Sequence, residues 1–228
     1  MRIEWEHKFG VMEQHDIQYY VASLHDVQPS EYDSVLTQGW LMQHQNNTLQ
    51  WYQSRSTRSN LKETDYTMFG NKYYKIGDWT KRKAEIRHIY SAYCHYKNYK
   101  DLYSDEVYNW LPEDILFEYY DDGEMVAWSK LRHYSDNSVE TVFFAWDYNK
   151  PQLHLGNNSL YHELAWAKQQ GYKHVYMGPG YELGCLYKAK VQGFEWWTGK
   201  EWSVDNQEYK RTVRRDSKVK NLEDISKL

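Results

Sequence analysis

The chain has 228 residues, a formal net charge of −4 and 41% hydrophobic residues, which suits one domain, or one domain with an attached lobe, with a substantial core. The negative charge excludes a globally basic nucleic-acid-binding protein, so only local basic segments could support that role. Short apolar runs, a charged N-terminus and two distant cysteines, Cys94 and Cys185, argue against a membrane span, a signal peptide and a disulfide framework. A cytoplasmic protein is expected.

The first third of the chain predicts strands, one short helix and polar loops. Residues 1–25 predict one or two strands, and a helix capped by Ser30 should follow and end at Gly39. The Gln- and Asn-rich residues 43–50 show no periodicity and predict a loop. The segment 51–62 predicts a second, basic loop.

That basic loop contains two arginines among small polar residues. Arg55 and Arg58 could contact phosphates there, or the segment could simply be a solvated loop. Residues 65–79 should be irregular. From Trp79 to Tyr99, apolar residues recur at helical spacing, which predicts a helix. Its first half is basic, and either an exposed face or a binding surface would account for that.

A hairpin and a further strand are predicted next. Residues 115–120 and 125–131 are apolar runs separated by Asp121-Asp122-Gly123, a strong hairpin signal. A second turn leads into the β-branched and aromatic strand 139–146. These three strands should form an antiparallel meander.

The strand at 139–146 is followed by a helix and another strand. Gly156-Asn157-Asn158-Ser159 predicts a tight turn with Ser159 as helix cap, and Gly171 should end the helix. The buried strand 175–177, a sharp turn, a second helix and a last short strand should follow. A β-α-β unit of this size implies parallel strands and a right-handed crossover. The helix start could hold an anion, or could be only a helix cap.

The predicted fold class is therefore α+β, with a mixed central sheet flanked by helices. An antiparallel meander followed by one β-α-β crossover resembles the GNAT acyltransferase fold. Three regions are expected: an N-terminal lobe at 1–80 packed on or continuous with the core, a transferase core at 81–205 and a basic tail at 206–228.

A more specific resemblance covers more than half of the chain. The segments FEYYDDGEMVAW, VFFAWDY, LHLGNNS, LYHELAWAKQQGY and VYMG, and a Cys followed by Tyr-Lys and Phe-Glu, occur in this order. With SEYDSVLTQGW near the N-terminus, they resemble the arginyl-tRNA–protein transferase family. That family is GNAT-like and moves an amino acid from a charged tRNA to a protein N-terminus. The resemblance implies aminoacyl-tRNA as co-substrate, with tRNA and a protein or peptide acceptor as partners and no DNA or membrane partner.

The chain also departs from the family pattern. The first lobe normally carries clustered cysteines, whereas SRSTRSN has none, so no metal centre and no tightly bound cofactor are expected. Gly178-Pro179-Gly180-Tyr181 replaces a Gly-Tyr-Tyr-like segment, which leaves the acceptor and the transferred amino acid open. Leu155 and Asn157 stand where an acetyl-CoA enzyme needs small residues, so the turn suits a tRNA donor better.

The expected catalytic residues follow the two central strands. Asp147 would bind the amino group of the donor or relay protons, unless it only forms an Asx turn. Tyr181 and Tyr187 stand where GNAT enzymes often keep a tyrosine that protonates the leaving group. The expected substrate- and tRNA-binding residues are Arg55, Arg58, Gly156, Asn157, Asn158, Ser159, Tyr176, Gly178, Cys185, Lys188, Arg211, Arg214 and Arg215.

Several of these residues have a plainer explanation. Cys185 could be a nucleophile or a buried small residue, and Lys188 could approach a phosphate or be a solvated helix residue. Arg211, Arg214 and Arg215 could contact tRNA or belong to a frayed terminus. The ten histidines show no pair at metal-ligand spacing.

The sequence favours an aminoacyl-tRNA-dependent transferase acting on a protein or peptide amine. Two alternatives stay open. The chain could be an acyl-CoA-dependent N-acetyltransferase of a small amine, in which case acetyl-CoA is the co-substrate. It could also be a non-catalytic GNAT module that binds tRNA or a peptide.

Overall fold

The computed structural model describes residues 1–12, 15–45, 48–53, 55–70, 73–99, 105–219 and 224. These residues form two compact units. Unit 1 comprises Met1–Glu63 and Tyr176–Leu228, and unit 2 comprises Thr64–Val175. The chain passes from unit 2 into unit 1 within strand β10 (His174–Pro179).

Unit 1 begins with a four-stranded sheet. Strands β1 (Arg2–Met12) and β2 (His15–His25) pair along their whole lengths, which confirms the predicted N-terminal strands. They are followed by β3 (Trp40–Gln45) and β4 (Thr48–Gln53), and the order in the sheet is β1-β2-β4-β3.

The loop predicted at 43–50 is wrong, although residues 46 and 47 lie outside the described part. Gln43 pairs with Gln50 across the antiparallel β3–β4 hairpin. Leu41 and Trp51, at the other end of this hairpin, are buried. Pairing and burial therefore outweigh the low strand preference of Gln and Asn, because strand propensity depends mostly on neighbours.

The short helix of unit 1, α1 (Tyr32–Thr37), is preceded by a 3-10 turn. The predicted cap at Ser30 is wrong, because Gln28 and Glu31 form a reciprocal capping box instead. The helix ends before Gly39 as expected. Gly39 has φ +79°, and a Cβ there would lie 2.4 Å from the Trp197 ring, so only glycine fits.

The rest of unit 1 contains four more strands and a helix. They are β5 (Ser56–Asn60), β10, β11 (Phe194–Trp197), β12 (Trp202–Ser203) and α5 (Asn206–Asp216), and the strands lie in the order β12-β11-β5-β10. The basic loop predicted at 51–62 is thus mostly strand. The helix predicted after β10 is 3-10 from Leu183 to Lys190, and the last short strand is confirmed as β11.

Unit 2 is built around an antiparallel meander. Its elements are β6 (Tyr74–Gly77), α2 (Lys83–Lys97), α3 (Asp105–Tyr108), β7 (Asp114–Asp121), β8 (Glu124–Ser135), β9 (Ser138–Trp146) and α4 (Leu155–Gln169). The strand order is β9-β8-β7-β6, and β6 lies within a stretch that was predicted to be irregular.

The β7–β8 hairpin turns where predicted. Asp122 and Gly123 both have positive φ, +48° and +82°, as a type I′ turn requires. On one face of the meander, Ile86 and Ile89 of α2 are packed with Trp128 of β8 in a buried hydrophobic cluster. The 3.6-residue periodicity of the predicted helix is thus explained by burial of one face.

Helix α4 begins earlier than predicted. It starts at Leu155, which is buried, after His154 takes a left-handed conformation with φ +49°. Residues 156–159 therefore form the first turn of the helix and do not precede it. Ser159 is buried and does not cap the helix, whereas Gly171, with φ +91°, lies just beyond its end as expected.

The meander β7-β8-β9, helix α4 and strand β10 follow one another in the predicted order. The α+β fold class predicted from the sequence, with a multi-stranded sheet flanked by helices, is confirmed. No helix in the described part of the chain is long and apolar enough to cross a membrane.

Candidate functional site

The end of β10 in unit 1 is held by a buried lysine. The Lys188 ammonium, on a side chain that is 6% exposed, donates hydrogen bonds to the carbonyls of Met177 at 2.5 Å and Pro179 at 2.6 Å. Thr57 donates to the carbonyl of the intervening Gly178 at 2.9 Å. Lys188 is thus not the solvated residue that the sequence allowed, because its charge is used to order the backbone after β10.

Gly180 continues this ordered segment. A Cβ at Gly180 would lie 2.6 Å from the Thr57 side chain and 2.7 Å from the Tyr209 hydroxyl, so a larger residue would not fit. The Tyr209 hydroxyl donates to the Cys185 carbonyl at 3.2 Å, and burial raises the pKa of Tyr209. The hydrogen bond of Tyr209 therefore connects helix α5 to residues 176–188, the segment that carries the predicted site residues of unit 1.

Two tyrosines and a cysteine line the same segment. Tyr187 is 44% exposed, so its ring is accessible to a substrate, and Tyr181 is half-buried. The Cys185 thiol lies 3.4 Å from the Pro179 carbonyl and is also half-buried. A backbone carbonyl can accept a hydrogen bond from the thiol but cannot deprotonate it, and this contact disfavours Cys185 as a nucleophile.

The two arginines predicted to contact phosphates form ion pairs within unit 1. Arg58, 9% exposed, pairs with Glu195 at 2.6 Å, and its guanidinium lies 4.0 Å from the centre of the Trp202 ring. It also donates to the Tyr176 hydroxyl at 3.3 Å. Burial raises the pKa of Tyr176 although Arg58 opposes this. These contacts make Arg58 part of the interior of unit 1.

Arg55 is bound to the end of α5. Its guanidinium forms a short ion pair with Asp216, which also pairs with Arg215 at 2.8 Å. The helix is capped at its start by Asp205, and its exposed side carries Arg211 and Arg214. The basic C-terminal segment is therefore a capped and packed helix from Asn206 to Asp216.

Asp147 lies in unit 2, directly after β9. One carboxylate oxygen accepts a hydrogen bond from the Asn149 amide at 2.9 Å, which is an Asx turn. Its own amide donates to the Val126 carbonyl at 2.8 Å. The structure thus contains the Asx turn, which is the alternative to a catalytic role for Asp147. Because the carboxylate is half-buried, it can form this turn and also contact a substrate.

Helix α4 starts after Asp147 and the 3-10 turn Pro151–Leu153. The Asn158 side-chain amide donates to the Leu153 carbonyl at 3.3 Å. The Asn158 backbone amide makes the first hydrogen bond of the helix, to the His154 carbonyl. The amides of residues 155–157 precede that first bond and point out of the helix end. A Cβ at Gly156 would meet no atom within 4 Å, so the first turn is open to a ligand.

The interior of unit 2 contains a buried carboxyl that was not predicted. Glu163 of α4 is 2% exposed and accepts hydrogen bonds from Tyr119 at 2.8 Å and Ser129 at 2.5 Å. Burial raises its pKa to about 7, although both hydrogen bonds oppose this. The sequence does contain a signal for the burial of Glu163. This residue falls on the apolar stripe of the helix formed by Leu160, Leu164 and Ala167.

His162, the neighbour of Glu163, is also fully buried. Its Nδ1 accepts a hydrogen bond from the Phe69 amide at 2.9 Å, and the two rings stack 4.8 Å apart. Its Nε2 has no hydrogen-bond partner among the described residues, and burial lowers the pKa of His162 to about 4. His162 is therefore neutral near pH 7 and is an acceptor of one backbone hydrogen bond.

The predicted residues fall into two groups. Unit 1 brings together Tyr176, Gly178, Tyr181, Cys185, Tyr187 and Lys188 around the end of β10, and pairs Arg55 and Arg58 with carboxylates. Unit 2 carries Asp147 and the start of α4. Within the described ranges, no three His, Cys, Asp or Glu side chains form a group that could hold a metal ion.

Comparison with known proteins gives one family. The family model "Arginine-tRNA-protein transferase, C terminus" matches residues 17–195, which is well over half of the chain. No curated protein matches the chain.

The solved structures that are similar to part of this chain include three acyltransferase-like or synthetase proteins. A GCN5-related N-acetyltransferase from Kribbella flavida has 13% identity and a TM-score of 0.41, covering 70% of this chain and 58% of that one. The C-terminal DUF2156 domain of a candidate lysylphosphatidylglycerol synthetase from Agrobacterium fabrum has 10% identity and a TM-score of 0.41, covering 69% and 54%. A probable N-acyltransferase from Enterococcus faecalis has 11% identity and a TM-score of 0.34, covering 69% and 37%. The chain spans less than two thirds of each of these structures.

The family match runs from β2 to β11. It includes the meander, Asp147, the start of α4 and the ordered end of β10, whereas α5 with its arginines lies beyond it. Given the extent of this match, the chain belongs to the arginine-tRNA-protein transferase family, C terminus.

Proposed function

We propose that the chain is an aminoacyl-tRNA-dependent transferase that moves an amino acid from a charged tRNA to a protein or peptide amine. The observation that carries this proposal is the family match over residues 17–195. The reaction is aminolysis of an ester: the amine attacks the aminoacyl carbonyl, the ester C–O bond breaks and the ribose hydroxyl leaves with a proton.

In this proposal, Asp147 binds the ammonium group of the aminoacyl donor or relays the proton lost by the attacking amine. Its second carboxylate oxygen would do this while the first keeps its hydrogen bond to Asn149. A carboxylate anchored by an Asx turn is pre-positioned, which lowers the entropic cost of orienting the donor.

Tyr181 and Tyr187 are proposed to supply the proton to the departing ribose oxygen. The exposure of Tyr187 supports access to a substrate. The contacts of Lys188 with the carbonyls of Met177 and Pro179 support a positioning role for Lys188, rather than direct contact with a phosphate. Gly178 would shape the substrate-facing surface of this segment, Tyr176 would support it from the interior of unit 1, and Cys185 would contribute packing.

The proposed tRNA contacts are the open first turn of α4 and the exposed side of α5. Backbone amides at a helix start attract phosphate oxygens, and the lack of any atom near a Cβ of Gly156 supports such an approach. Arg211 and Arg214 would add charge on α5. With charged tRNA as co-substrate and no tightly bound cofactor, we propose that the reaction takes place in the cytoplasm.

The test is transfer of radiolabelled amino acids from a pool of charged tRNA to model peptides, with labelled acetyl-CoA in a parallel reaction. Label moving from tRNA to peptide is the expected result, and it would also name the amino acid. Label moving only from acetyl-CoA, or from neither donor, would overturn the proposal.

A further inference from the structure

The segment Leu183–Lys190, which we call the Tyr187 segment, needs support from outside itself. It is a 3-10 helix of 8 residues, whereas 3-10 runs longer than about four residues are uncommon, because their hydrogen bonds have poor geometry. The side chain of Tyr187 is 44% exposed, so packing alone does not fix its ring. The position of Tyr187 therefore depends on how the backbone of this segment is held.

Helix α5 holds this backbone on both sides of Tyr187. The Tyr209 hydroxyl donates to the Cys185 carbonyl at 3.2 Å, and the Asn206 side-chain amide donates to the Ala189 carbonyl at 3.0 Å. Cys185 precedes Tyr187 by two residues and Ala189 follows it by two. Asn206 and Tyr209 are three positions apart and therefore share one face of α5. One helix face thus fixes the backbone on either side of Tyr187.

The Tyr209 side chain is itself fixed by strand β11. It is fully buried, and its ring centre lies 4.9 Å from that of Phe194 and 5.7 Å from that of Trp196. The Trp196 indole N–H donates to the Asp205 carbonyl at the start of α5, at 3.2 Å. Burial raises the pKa of Tyr209, so its hydroxyl stays protonated and remains a hydrogen-bond donor. The anchors therefore project from a helix that is packed firmly on β11.

Helix α5 also contacts the turn that precedes the Tyr187 segment. A Cβ at Gly180 would lie 2.7 Å from the Tyr209 hydroxyl, so the chain passes close to this hydroxyl just before Tyr181. The Arg55 carbonyl lies 3.0 Å from the same Cβ position, and the Arg55 guanidinium is paired with Asp216 at the end of α5. The helix is thus in contact with the backbone beside both tyrosines that are proposed as proton donors.

We propose that Tyr209 and Asn206 are positioning residues of the transferase site, which hold Tyr187 where it can protonate the departing ribose oxygen. This inference rests on the proposed function. Helix α5 lies beyond residues 17–195, so the family match by itself gives this helix no role in the reaction.

Neither positioning residue touches the substrate in this proposal, because both act through Tyr187. The C–N bond forms as the ester C–O bond breaks, and the Tyr187 hydroxyl gives its proton to the ribose oxygen. The proton released by the attacking amine returns to the tyrosinate through solvent. A small displacement of the Tyr187 hydroxyl should therefore slow the chemical step and leave tRNA binding unchanged.

The test measures steady-state transfer of labelled amino acid from charged tRNA to a model peptide, with full-length variants. Tyr209→Phe keeps the buried ring and removes the hydroxyl, and should lower kcat about tenfold while the KM for charged tRNA stays within about twofold. Asn206→Ala is a second, independent variant with the same expected result, because alanine is well tolerated in a helix.

Ser56→Ala is the matched control. The Ser56 hydroxyl is fully buried and donates to the Gly39 carbonyl at 2.5 Å, so this variant also loses a buried hydroxyl-to-carbonyl hydrogen bond in unit 1. Neither residue belongs to the Tyr187 segment, and kcat should therefore stay within about twofold of wild type. An equal fall in kcat for Ser56→Ala and Tyr209→Phe would overturn the proposal.

A double-mutant cycle separates positioning from a general loss of stability. Tyr187→Phe removes the proton donor and should lower kcat about 100-fold. Adding Tyr209→Phe should then lower kcat by no more than about twofold, because Tyr209 acts through Tyr187. Losses that multiply, or unimpaired kcat in Tyr187→Phe, would overturn the proposal.

The same measurements distinguish this inference from the proposed function. If the wild type transfers label from charged tRNA and Tyr209→Phe has the wild-type kcat, only this inference fails. If the wild type transfers no label from charged tRNA, the proposed function fails and this inference fails with it.

Discussion

Replacing Glu163 by glutamine should change how stability depends on pH. Glu163 is buried in α4, and burial raises the pKa of its carboxyl from 4.5 to about 7. Because the folded-state pKa is the higher one, the folded protein binds more protons than the unfolded chain between these two values. The stability that Glu163 contributes is fully present below the unfolded pKa and is lost as the pH rises through the folded pKa.

The size of this effect follows from the pKa difference. Each unit of pKa difference corresponds to about 1.4 kcal/mol, so ionised Glu163 lowers the free energy of unfolding by about 3 kcal/mol above neutral pH. Glu163→Gln cannot ionise, but its amide oxygen can still accept from Tyr119 and Ser129. The stability of the variant relative to the wild type should therefore rise by about 2.5 kcal/mol between about pH 5 and about pH 8.

His162 has the opposite effect. Burial lowers its pKa from 6.5 to about 4, so its contribution is present above the unfolded pKa and is lost as the pH falls through the folded pKa. In the wild type, Glu163 and His162 give the free energy of unfolding opposite slopes against pH between about pH 4.5 and 6.5. Replacing one of the two residues should therefore reveal the slope that the other causes. His162→Asn keeps an acceptor for the Phe69 amide and should leave stability falling with rising pH.

Urea unfolding, followed by tryptophan fluorescence at several pH values, measures these differences. Glu113→Gln is the control, because Glu113 is exposed in the same unit and the substitution makes the same chemical change at the surface. A stability difference between Glu163→Gln and the wild type that does not change with pH would refute the reasoning.

Three further substitutions test other parts of the proposed site. Asp147→Asn keeps the acceptor for Asn149, so the free energy of unfolding should change little while transfer falls about 100-fold or more; unimpaired transfer would contradict the role of Asp147. Gly156→Ala should raise helix stability by about 0.5–1 kcal/mol, because a Cβ meets no atom there, and should weaken tRNA binding; unchanged tRNA affinity would remove the α4 start from the binding surface. Lys188→Met should lower the free energy of unfolding by about 2–3 kcal/mol, since the buried ammonium donates to two carbonyls; a urea midpoint equal to wild type would contradict this.

Residues of the candidate site were predictable where a local pattern marks them. Asp147 and the start of α4 follow a recognisable strand, and the structure places them at the predicted point of the chain. Arg58 shows the limit of such reasoning, because its partner Glu195 is 137 positions away in sequence. Whether a basic residue is available to a phosphate depends on such distant partners.

Buried groups also depend on partners that are distant in the sequence. Glu163 lies on the apolar stripe of a predicted helix, but its partners Tyr119 and Ser129 come from two different strands.

The sequence by itself determined the order of the elements from β7 to β10, the α+β class and the family resemblance, because strand alternation, helical periodicity and turn residues act over a few neighbouring positions. The Asp122-Gly123 turn and the stop at Gly171 are examples. Only the tertiary structure decided which charges are paired and which are buried. Those properties depend on contacts between segments far apart in the chain, since hydrogen bonds and ion pairs form wherever packing brings partners together.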